Sequence, residues 1–436
     1  METTTPHELP RKLSLLDATM INVGSMIGSG IFLVPATIAL YLQSSFPVFL
    51  VWIVGGIVSL FGALSVAELG VQMPRAGGMY VYLKEAYSPL WGFLYGWAAF
   101  AVINTASIAA VAATFATYMG YFFPMGPMGI KVVAISSIVF LTVINCFGVK
   151  IGARVQNAFT FTKMGALLLL VGMSFVLSGG SVSNFSPVLP SIPLAGPIVL
   201  AMIAVLWSYD GWIEITYVAG EVINPQRNLP RALAIGTAIV ILVYLLVSSA
   251  VMYVLPMQEA AHSQLVLSDA AVKILGTGGA VFVSLAVVIS TFGTNNGFIF
   301  ASPRIYYAMA KEGLFFSWLA NVHPKYETPI PSLIVQAVLA CVFILSGTYD
   351  QLFTYVVFGS FLFYAMSAGA VFIMRRRPSA ATGSYKTWGY PLTPALFIAF
   401  SLYLVVSSII ENPIDSLIGA GIILIGVPLY LYWKKP

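Results

Sequence analysis

The sequence predicts an all-α integral membrane protein with twelve transmembrane helices, and three observations support this fold class. Hydrophobic residues make up 59% of the 436-residue chain and charged residues 8%, whereas soluble proteins carry about 25% charged residues. Apolar segments as long as a spanning helix, which needs about 20 residues, recur along the whole chain. Basic residues are concentrated in alternate connections between these segments. Such a composition excludes most cytosolic enzymes, nucleic-acid-binding proteins and secreted scaffolds.

The chain begins with a polar tail over residues 1–16, in which we find no cleavage site typical of a removable signal peptide. We therefore expect the first membrane helix to act as its own insertion signal. Twelve predicted spans follow, at about 17–42, 47–72, 89–122, 131–148, 156–178, 197–220, 232–255, 275–302, 330–346, 351–374, 391–410 and 415–433. Glu411, Asn412 and Pro413 divide the last two. No connection is long enough for a soluble domain, and the stretch 303–311 is amphipathic, so we expect it to lie along the cytoplasmic interface.

The positions of the 20 lysine and arginine residues test the number of spans. With a cytoplasmic N-terminus, 17 of them fall on the cytoplasmic side: Arg11, Lys12, Arg75, Lys84, Lys150, Arg154, Arg227, Arg231, Arg304, Lys311, Lys325, Arg375, Arg376, Arg377, Lys386, Lys434 and Lys435. Lys131 and Lys273 fall outside, and Lys163 lies within a span. The positive-inside rule therefore supports twelve spans, with both termini in the cytoplasm and the protein in the plasma membrane. The same distribution accounts for the net charge of +5 without a nucleic-acid partner.

Two spans contain residues that interrupt a helix. In the first span, residues 23–32 include three glycines and two serines, and each glycine costs about 1 kcal/mol relative to alanine in a helix interior. In the sixth span, residues 206–212 place an aspartate beside a glycine. Unwound backbone is tolerated in a membrane where it lines a cavity or is buried in protein. Paired interruptions in the two halves of a chain indicate the binding site of a transporter.

The spacing of the two breaks predicts how the repeats are arranged. The breaks lie five spans apart, and because five is odd, the two halves have inverted topology. We predict a first five-helix repeat over 17–178, a second over 197–374 and two additional helices over 391–433. Close helix packing is an alternative interpretation of the first glycine cluster, because Gly24 and Gly28 have the spacing of small residues between packed membrane helices.

Lys163 is a charged residue within the fifth predicted span, about seven residues from its start, or roughly 10 Å at 1.5 Å per residue. Its ammonium either extends to the interface or points at the unwound part of the first helix, where freed carbonyls need a cation. In the second case the lysine does what a bound sodium ion does elsewhere, and its ability to lose a proton leaves proton coupling open. Ser290 and Thr294 share a face of the eighth span by their i, i+4 spacing. They either face Lys163 or make interhelical hydrogen bonds.

Three carboxylates inside the predicted membrane region are functional candidates by default. Asp210 either caps the second half of helix six or takes part in conformational coupling. Glu214, one turn later, either balances Asp210 or provides a proton site. Glu68 lies near the inner end of helix two, where we expect a gating or packing carboxylate. The sequence does not rank the three.

Enzyme chemistry and metal binding have no support in the sequence. The 3 histidines lie in loops or tails, and no cluster of potential ligands has metal-binding spacing. There is no phosphate-binding loop and no nucleophile motif, so we expect no enzyme activity, cofactor or metal. Cys146 and Cys341 lie in apolar segments, which argues against a disulfide framework. A channel is the alternative from another class, but channels present rings of charge or carbonyls around an open axis, and paired broken helices argue against that.

Several motifs, each weak alone, occur in a specific order over nearly the whole chain. They are Gly28-Ser29-Gly30-Ile31-Phe32, Pro74-Arg75-Ala76-Gly77-Gly78 with Tyr80, Tyr209-Asp210-Gly211-Trp212, the segment 220–231, Ser302-Pro303-Arg304, and His323-Pro324-Lys325-Tyr326 with Thr328-Pro329. In these motifs the sequence resembles bacterial members of the L-amino-acid transporter family, within the amino acid–polyamine–organocation superfamily. The resemblance implies two inverted five-helix repeats plus two helices, substrate held between helices one and six, and alternating access by a rocking bundle.

The resemblance also implies roles for individual residues. It implies that backbone amides bind the substrate carboxylate around Ser25, Met26, Ile27, Gly28, Ser29, Gly30 and Ile31. It implies that backbone carbonyls bind the substrate amino group around Leu206, Trp207, Ser208 and Tyr209. Lys163 matches the family's fifth-helix lysine, which replaces a sodium site and supports sodium-independent exchange. Ser290 matches the eighth-helix position near that lysine.

We therefore expect sodium-independent exchange of neutral L-amino acids, with Ala, Ser or Cys as the first candidates and Thr close behind. The alternative within the same fold is a proton-coupled amino-acid symporter. Animal members of the family pair with a glycoprotein heavy chain through a cysteine in the loop after helix three. Because residues 122–131 contain no cysteine, we expect no disulfide-linked partner. The expected partners are the amino-acid substrate and the lipid bilayer.

Overall fold

The computed structural model describes residues 9–177, 179–190, 195–346, 349–377 and 385–434. Regular structure in these residues is helical, apart from one isolated bridge between Leu13 and Val222. The predicted all-α class is therefore confirmed. Parts of three predictions lie outside the described residues. They are 1–8 of the predicted tail, 178 and 347–348 of the predicted repeats, and Lys435 among the basic residues.

The described residues of the first half of the chain form eight α-helices. They are α1 (Leu15–Met26), α2 (Gly30–Leu42), α3 (Ser45–Gln72), α4 (Met79–Ala86), α5 (Pro89–Ala98), α6 (Asn104–Met119), α7 (Pro127–Cys146) and α8 (Val149–Leu177). A five-residue π-helix, Ala99–Ile103, joins α5 to α6. The chain enters α1 through a capping box, in which the Ser14 hydroxyl accepts from the Asp17 amide and the Asp17 carboxylate accepts from the Ser14 amide.

The described residues of the second half form eleven further α-helices. They are α9 (Ala195–Ser208), α10 (Glu214–Tyr217), α11 (Pro225–Val254), α12 (Met257–His262), α13 (Val266–Leu275), α14 (Thr277–Ala301), α15 (Pro303–Lys311), α16 (Ile330–Ser346), α17 (Tyr349–Arg375), α18 (Leu392–Glu411) and α19 (Pro413–Trp433). Short 3-10 turns complete this half, one of them at Ala219–Glu221 directly after α10.

The lengths and hydropathy of these helices support a multi-pass membrane protein. Within the described residues, nine helical runs are long and apolar enough to cross a membrane, and the bent pair α1–α2 makes a tenth when it is counted as one span. The other two predicted spans coincide with the shorter apolar helices α9 and α16. The structure thus supports nine or ten spans directly, and the number twelve stays a prediction.

The fifth predicted span is longer than expected at its start. The sequence predicts a span from residue 156, whereas α8 begins at Val149. Lys163 therefore lies fourteen residues into the helix, about 21 Å along its axis from the first residue. The helix extends beyond the predicted span because Lys150 and Arg154 lower the hydropathy of its first turns without interrupting it.

Both predicted breaks are present, and they contact each other. The first lies at Ile27–Ser29, where α1 and α2 meet at a bend of 44°. The second lies between the end of α9 and the start of α10, and its Gly211 has a φ of 108°, which a side chain would strain. A Cβ added to Gly211 would lie 2.6 Å from the Ser25 carbonyl oxygen. The glycine is needed because the two breaks pack backbone against backbone.

The stretch 303–311, predicted to be an amphipathic segment along the cytoplasmic interface, forms the helix α15. Every residue from Pro303 to Ala310 is buried, and α15 packs against α5 and α16. Other parts of the protein cover its polar face, where the Arg304 guanidinium binds the buried carboxylate of Glu221.

The half-helices on either side of the first break pack against different neighbours. The half-helices α1 and α2 pack against α11 and α9 respectively, while α1 also contacts α8 and α14. A second cluster of buried apolar side chains joins α6, α7, α14 and α16. The first break therefore packs against the continuous helices α8 and α14.

Candidate functional site

A cavity of about 900 Å³ extends from the two breaks to the ends of α2, α6 and α18. Tyr41, Tyr118 and Glu411 line it where those helices finish, and we call this end the cavity mouth. Of the residues predicted to bind substrate, those in the wall are Ser25, Met26, Gly28, Ser29, Gly30, Trp207 and Ser208, with Asp210 beside them. The predicted residues that do not line the cavity are Ile27, Ile31, Leu206 and Tyr209.

The backbone that opens α2 forms one side of the cavity. Ser29 and Gly30 start this helix, where the first amides lack the usual intrahelical acceptor, and of these the Phe32 amide donates to Ser29 O at 3.1 Å. Gly30 also contacts the second break, because a Cβ there would lie 2.6 Å from Ser208 Oγ and 3.1 Å from Ser208 Cα. Gly28 has more room, with its nearest neighbour, Thr294 Cγ2, at 3.5 Å from an added Cβ.

The glycines of the first break divide between the two interpretations of the sequence. Gly24 is a packing glycine, since a Cβ there would overlap the side chains of Gln156 and Thr160 on α8. Gly30 permits the two breaks to meet. The cluster therefore serves helix packing and backbone exposure at different positions.

The Lys163 ammonium contacts the freed carbonyls of the first break. Its Nζ donates to Gly24 O and Ile27 O, both at 2.6 Å, and to Thr294 Oγ1 at 3.0 Å. The side chain is 1% exposed. Among the described residues it forms no ion pair. Its partners are thus backbone dipoles and a hydroxyl, as they would be for a bound monovalent cation.

Two hydroxyls on α14 complete this arrangement. Ser290 Oγ donates to Ile27 O at 3.0 Å, and Thr294 Oγ1 lies 2.9 Å from the same oxygen and 3.1 Å from Gly24 O. The predicted shared face of Ser290 and Thr294 is the face that meets the break. Three helices, α1, α8 and α14, therefore contribute polar groups to one small volume.

The second break uses a tyrosine in place of a cation. The Tyr244 hydroxyl on α11 lies 2.8 Å from Ser208 O and 2.9 Å from Met26 O, so that it joins the two breaks. Trp207 O accepts from the Asp210 amide at 3.1 Å. The Tyr209 side chain is buried against α3, where its hydroxyl donates to Trp52 O at 3.1 Å.

Asp210 does not cap α10, which begins four residues later without a side-chain cap. Its Oδ1 accepts from the Gly211 amide at 2.9 Å and from the Tyr364 hydroxyl at 2.7 Å. Of the two interpretations of Asp210, capping is therefore excluded, because the break is too long for this side chain to reach the first turn of α10. The carboxylate instead ties the break to α17. Sequence reasoning missed Tyr244 and Tyr364, although a tyrosine in an apolar span signals a need for a hydroxyl partner.

Glu214 and Glu68 have different environments. Glu214 is 3% exposed, and the one hydrogen bond to its carboxylate among the described residues comes from the Ser302 hydroxyl at 3.4 Å. Glu68 accepts from Arg375 Nε and Nη2 and from the Thr387 amide, all at 2.7 Å. Glu68 is therefore a paired carboxylate that joins α3 to α17, whereas Glu214 has no cation beside it in the described part of the chain.

The end of the bundle opposite the cavity mouth, which we call the basic end, is joined by ion pairs. Lys84 and Tyr80 bind the Glu312 carboxylate at 2.7 and 2.5 Å. Arg75 binds Glu85 at 2.9 Å. Partial burial raises the pKa of the Glu85 carboxyl, but the Arg75 hydrogen bond and the charge of Lys84 outweigh it and leave this pKa below its usual value. The Glu312 contacts connect α4 to the segment after α15, whereas the Arg75–Glu85 pair joins α4 to the loop before it.

Arg304 and Glu221 form a fully buried pair at the same end, with Arg304 Nε 2.7 Å from Glu221 Oε1. Removing one partner of such a pair leaves an uncompensated buried charge. Both residues belong to sequence motifs for which no role was predicted. In the sequence, each could be noticed only as a charged residue within an apolar or motif-rich segment. The structure shows that the two are paired.

Comparison with known proteins places this chain among transporters. The family model of amino acid permeases matches residues 13–430. The serine/threonine exchanger SteT of Bacillus subtilis (strain 168) is 34% identical over 435 residues, which cover 99% of each chain. The b(0,+)-type amino acid transporter 1 of Mus musculus is 34% identical over 413 residues, 93% of this chain and 84% of the relative. The large neutral amino acids transporter small subunit 2 of Homo sapiens is 33% identical over 446 residues, 98% of this chain and 82% of the relative.

Proposed function

The chain belongs to the amino acid permease family, and from this premise we propose that it exchanges neutral L-amino acids with small side chains across the plasma membrane, by alternating access and without sodium. The observation that carries the proposal is the cavity that ends at two touching helix breaks, with the first amides of α2 in its wall. Similarity to a protein named a serine/threonine exchanger supports both exchange and small substrates.

In this proposal the substrate carboxylate binds the amides that open α2. A helix N-terminus carries about half a positive charge, and its first amides need acceptors. The substrate amino group binds carbonyls at the end of α9, where Trp207 and Ser208 border the cavity. Because a carbonyl oxygen has two lone pairs, Ser208 O accepts from the amino group while it also accepts from Tyr244.

Lys163 takes the place of a sodium ion in the proposed mechanism, with Ser290 and Thr294 as its neighbours. The ammonium supplies positive charge to the carbonyls of the first break at 2.6 Å. A covalently attached cation stays with the protein during each cycle, so no ion accompanies the substrate. Asp210 serves conformational coupling, since it links the second break to α17 through Tyr364.

We further propose twelve spans, with inverted repeats over 17–178 and 197–374 and additional helices over 391–433. The basic end faces the cytoplasm by the positive-inside rule. The cavity mouth then faces outward, and the ion pairs of the basic end hold the inner side closed. Inward opening requires those pairs to separate.

Uptake into proteoliposomes tests this function. Vesicles that contain the purified protein are preloaded with one unlabelled amino acid, and uptake of labelled L-serine is measured in sodium and in choline. We expect uptake to depend on internal Ser, Ala, Cys or Thr and to be the same in both salts. Uptake that saturates with sodium concentration would contradict sodium independence, and uptake without trans-stimulation would contradict exchange.

A proton-coupled symporter is the second candidate, and the observation that favours it is Glu214. A buried carboxylate with a single hydroxyl partner and no cation nearby in the described residues is a candidate proton carrier. The same vesicles distinguish the two functions. Net uptake into empty vesicles under an inward proton gradient supports symport, whereas exchange needs internal substrate.

A further inference from the structure

We propose that a chain of three amide side chains, Asn145, Asn296 and Gln156, positions the Ser25 hydroxyl as a hydrogen-bond donor to the substrate carboxylate. This inference rests on the proposed function, in which the carboxylate binds at the first break. It adds positioning residues from α7, α8 and α14 to a site otherwise built from backbone.

The amides form a continuous buried chain across the three helices. Asn145 Nδ2 donates to Asn296 Oδ1 at 2.9 Å, and Asn296 Nδ2 donates to Gln156 Oε1 at 2.8 Å. Asn296 and Gln156 are 0% exposed, and Asn145 is 2% exposed. Burying amide groups costs free energy unless they are hydrogen-bonded. The direction in which these buried amides donate therefore needs an explanation.

The direction of the chain is fixed at its beginning. Asn145 also contacts Leu141 O at 2.8 Å, and since a backbone carbonyl only accepts, the side-chain atom there is the nitrogen. Asn296 is oriented a second time by Gly152 O at 3.4 Å. Every amide therefore donates toward Gln156. The amide nitrogen of Gln156 must be at the far end, pointing away from the chain.

Two buried polar atoms without a hydrogen-bond partner among the described residues lie at that far end. Among the described residues, Gln156 Nε2 and Ser25 Oγ are buried and have no hydrogen-bond partner. Both border Gly297, where an added Cβ would lie 2.6 Å from Ser25 Oγ and 3.3 Å from Gln156 Nε2. Gly24 likewise has no room for a side chain because the Gln156 amide approaches it. The glycines leave space that these two polar groups share.

Ser25 is the member of the chain that reaches the cavity wall. When Gln156 donates to Ser25 Oγ, the serine hydrogen is free to point at an acceptor in the cavity, and aligned donors strengthen one another. Without Gln156, a helical serine turns its hydrogen back to the carbonyl four residues earlier. A carboxylate is the acceptor that such a donor fits best, since charge-assisted bonds are the stronger ones.

A double-mutant cycle tests the inference by the affinity for L-serine in detergent. Gln156→Met keeps the length of the side chain and removes the donor, and we expect about a tenfold loss of affinity, which corresponds to ~1.4 kcal/mol. In the Ser25→Ala background the same change should have less than about a twofold effect, because the relay has lost its target. Equal losses in both backgrounds would overturn the proposal.

A matched control and a second variant keep the test decisive. Gln336 on α16 is another fully buried glutamine with both amide atoms unpaired among the described residues, so Gln336→Met should leave the affinity within about twofold. If Gln156→Met fails to fold, Asn296→Leu provides a second test at similar volume, because it removes the donor that orients the Gln156 amide. We expect a tenfold loss there also.

The inference and the proposed function fail in different ways. Normal L-serine affinity in a folded Gln156→Met or Asn296→Leu protein would overturn the relay alone. Absence of binding by the unmodified protein would overturn the proposed substrate as well.

Discussion

The two helix breaks satisfy their freed backbone groups by different means. At the first break, Lys163 binds Gly24 O and Ile27 O at 2.6 Å, with hydroxyl support from α14. At the second break the donor is a neutral hydroxyl, that of Tyr244, and it is shared between Ser208 O and Met26 O. The first break depends on the charge of Lys163 from α8. The second depends on the hydroxyl hydrogen of Tyr244, which it shares with the first break.

This difference has a consequence for motion. Rotation of α1 away from α8 and α14 separates an ammonium from its carbonyls in a low-dielectric region, where electrostatic interactions are strong. Rotation that keeps α1, α9 and α11 together leaves the Tyr244 bonds intact. We therefore expect the first break to control conformational exchange and the second to keep the two half-helices together during it.

The largest expected effect comes from removing the charge at the first break. Lys163→Ala removes hydrogen bonds from a charged donor, worth about 1.5–3 kcal/mol each, while the α14 hydroxyls remain. Because Lys163 need not touch the ligand, we predict that the exchange rate falls at least about tenfold, with a smaller change in substrate affinity. Exchange in proteoliposomes and L-serine binding in detergent measure the two quantities.

Two further variants sharpen this test. Lys163→Arg should rescue poorly, since a planar guanidinium does not fit a site for a point charge. Lys150→Ala, on the exposed part of the same helix, should exchange normally. Intact exchange by Lys163→Ala would mean that the ammonium is only an anchor and that the two breaks do not differ in control.

The second largest effect distinguishes two glycines of the first break. In Gly30→Ala the new methyl group would approach Ser208 at 2.6–3.1 Å, and overpacking of this kind costs about 1–3 kcal/mol. We predict a loss of substrate-induced thermal stabilisation, because the two breaks are forced apart. Gly28→Ala meets Thr294 at an ordinary 3.5 Å and should retain the stabilisation. Equal behaviour of the two variants would show that contact between the breaks does not shape the site.

The smallest effect concerns the shared hydroxyl. Tyr244→Phe removes one donor that is divided between two carbonyls, and we expect it to lower the free energy of unfolding by about 1 kcal/mol. The exchange rate should fall less than in Lys163→Ala. Tyr253→Phe, nine residues later on α11, serves as the control for loss of a hydroxyl on the same helix. A larger loss of exchange in Tyr244→Phe than in Lys163→Ala would reverse the comparison.

The sequence predicted the class of fold and the approximate location of both breaks. The second break was expected within 206–212, and in the structure the chain is non-helical between Ser208 and Glu214. These predictions succeeded because hydropathy and clustered glycines act locally on a helix. The extension of α8 before the predicted span and the exclusion of Asp210 as a cap emerged only from the structure, because a few basic residues do not end a helix and a cap depends on the length of the break that follows.

The chain by itself determined where helices run and where they open, since both depend on the composition of short segments. Only the tertiary structure decided what the opened backbone contacts. The groups that meet at the first break come from α1, α8 and α14, and Tyr244 comes from α11. Nothing local in the sequence specifies that Lys163 binds Ile27 O or that Asn296 binds Gln156, because these contacts depend on how whole helices pack. Packing selects among many possible donors, and the freed carbonyls accept the donors that packing brings within 3 Å.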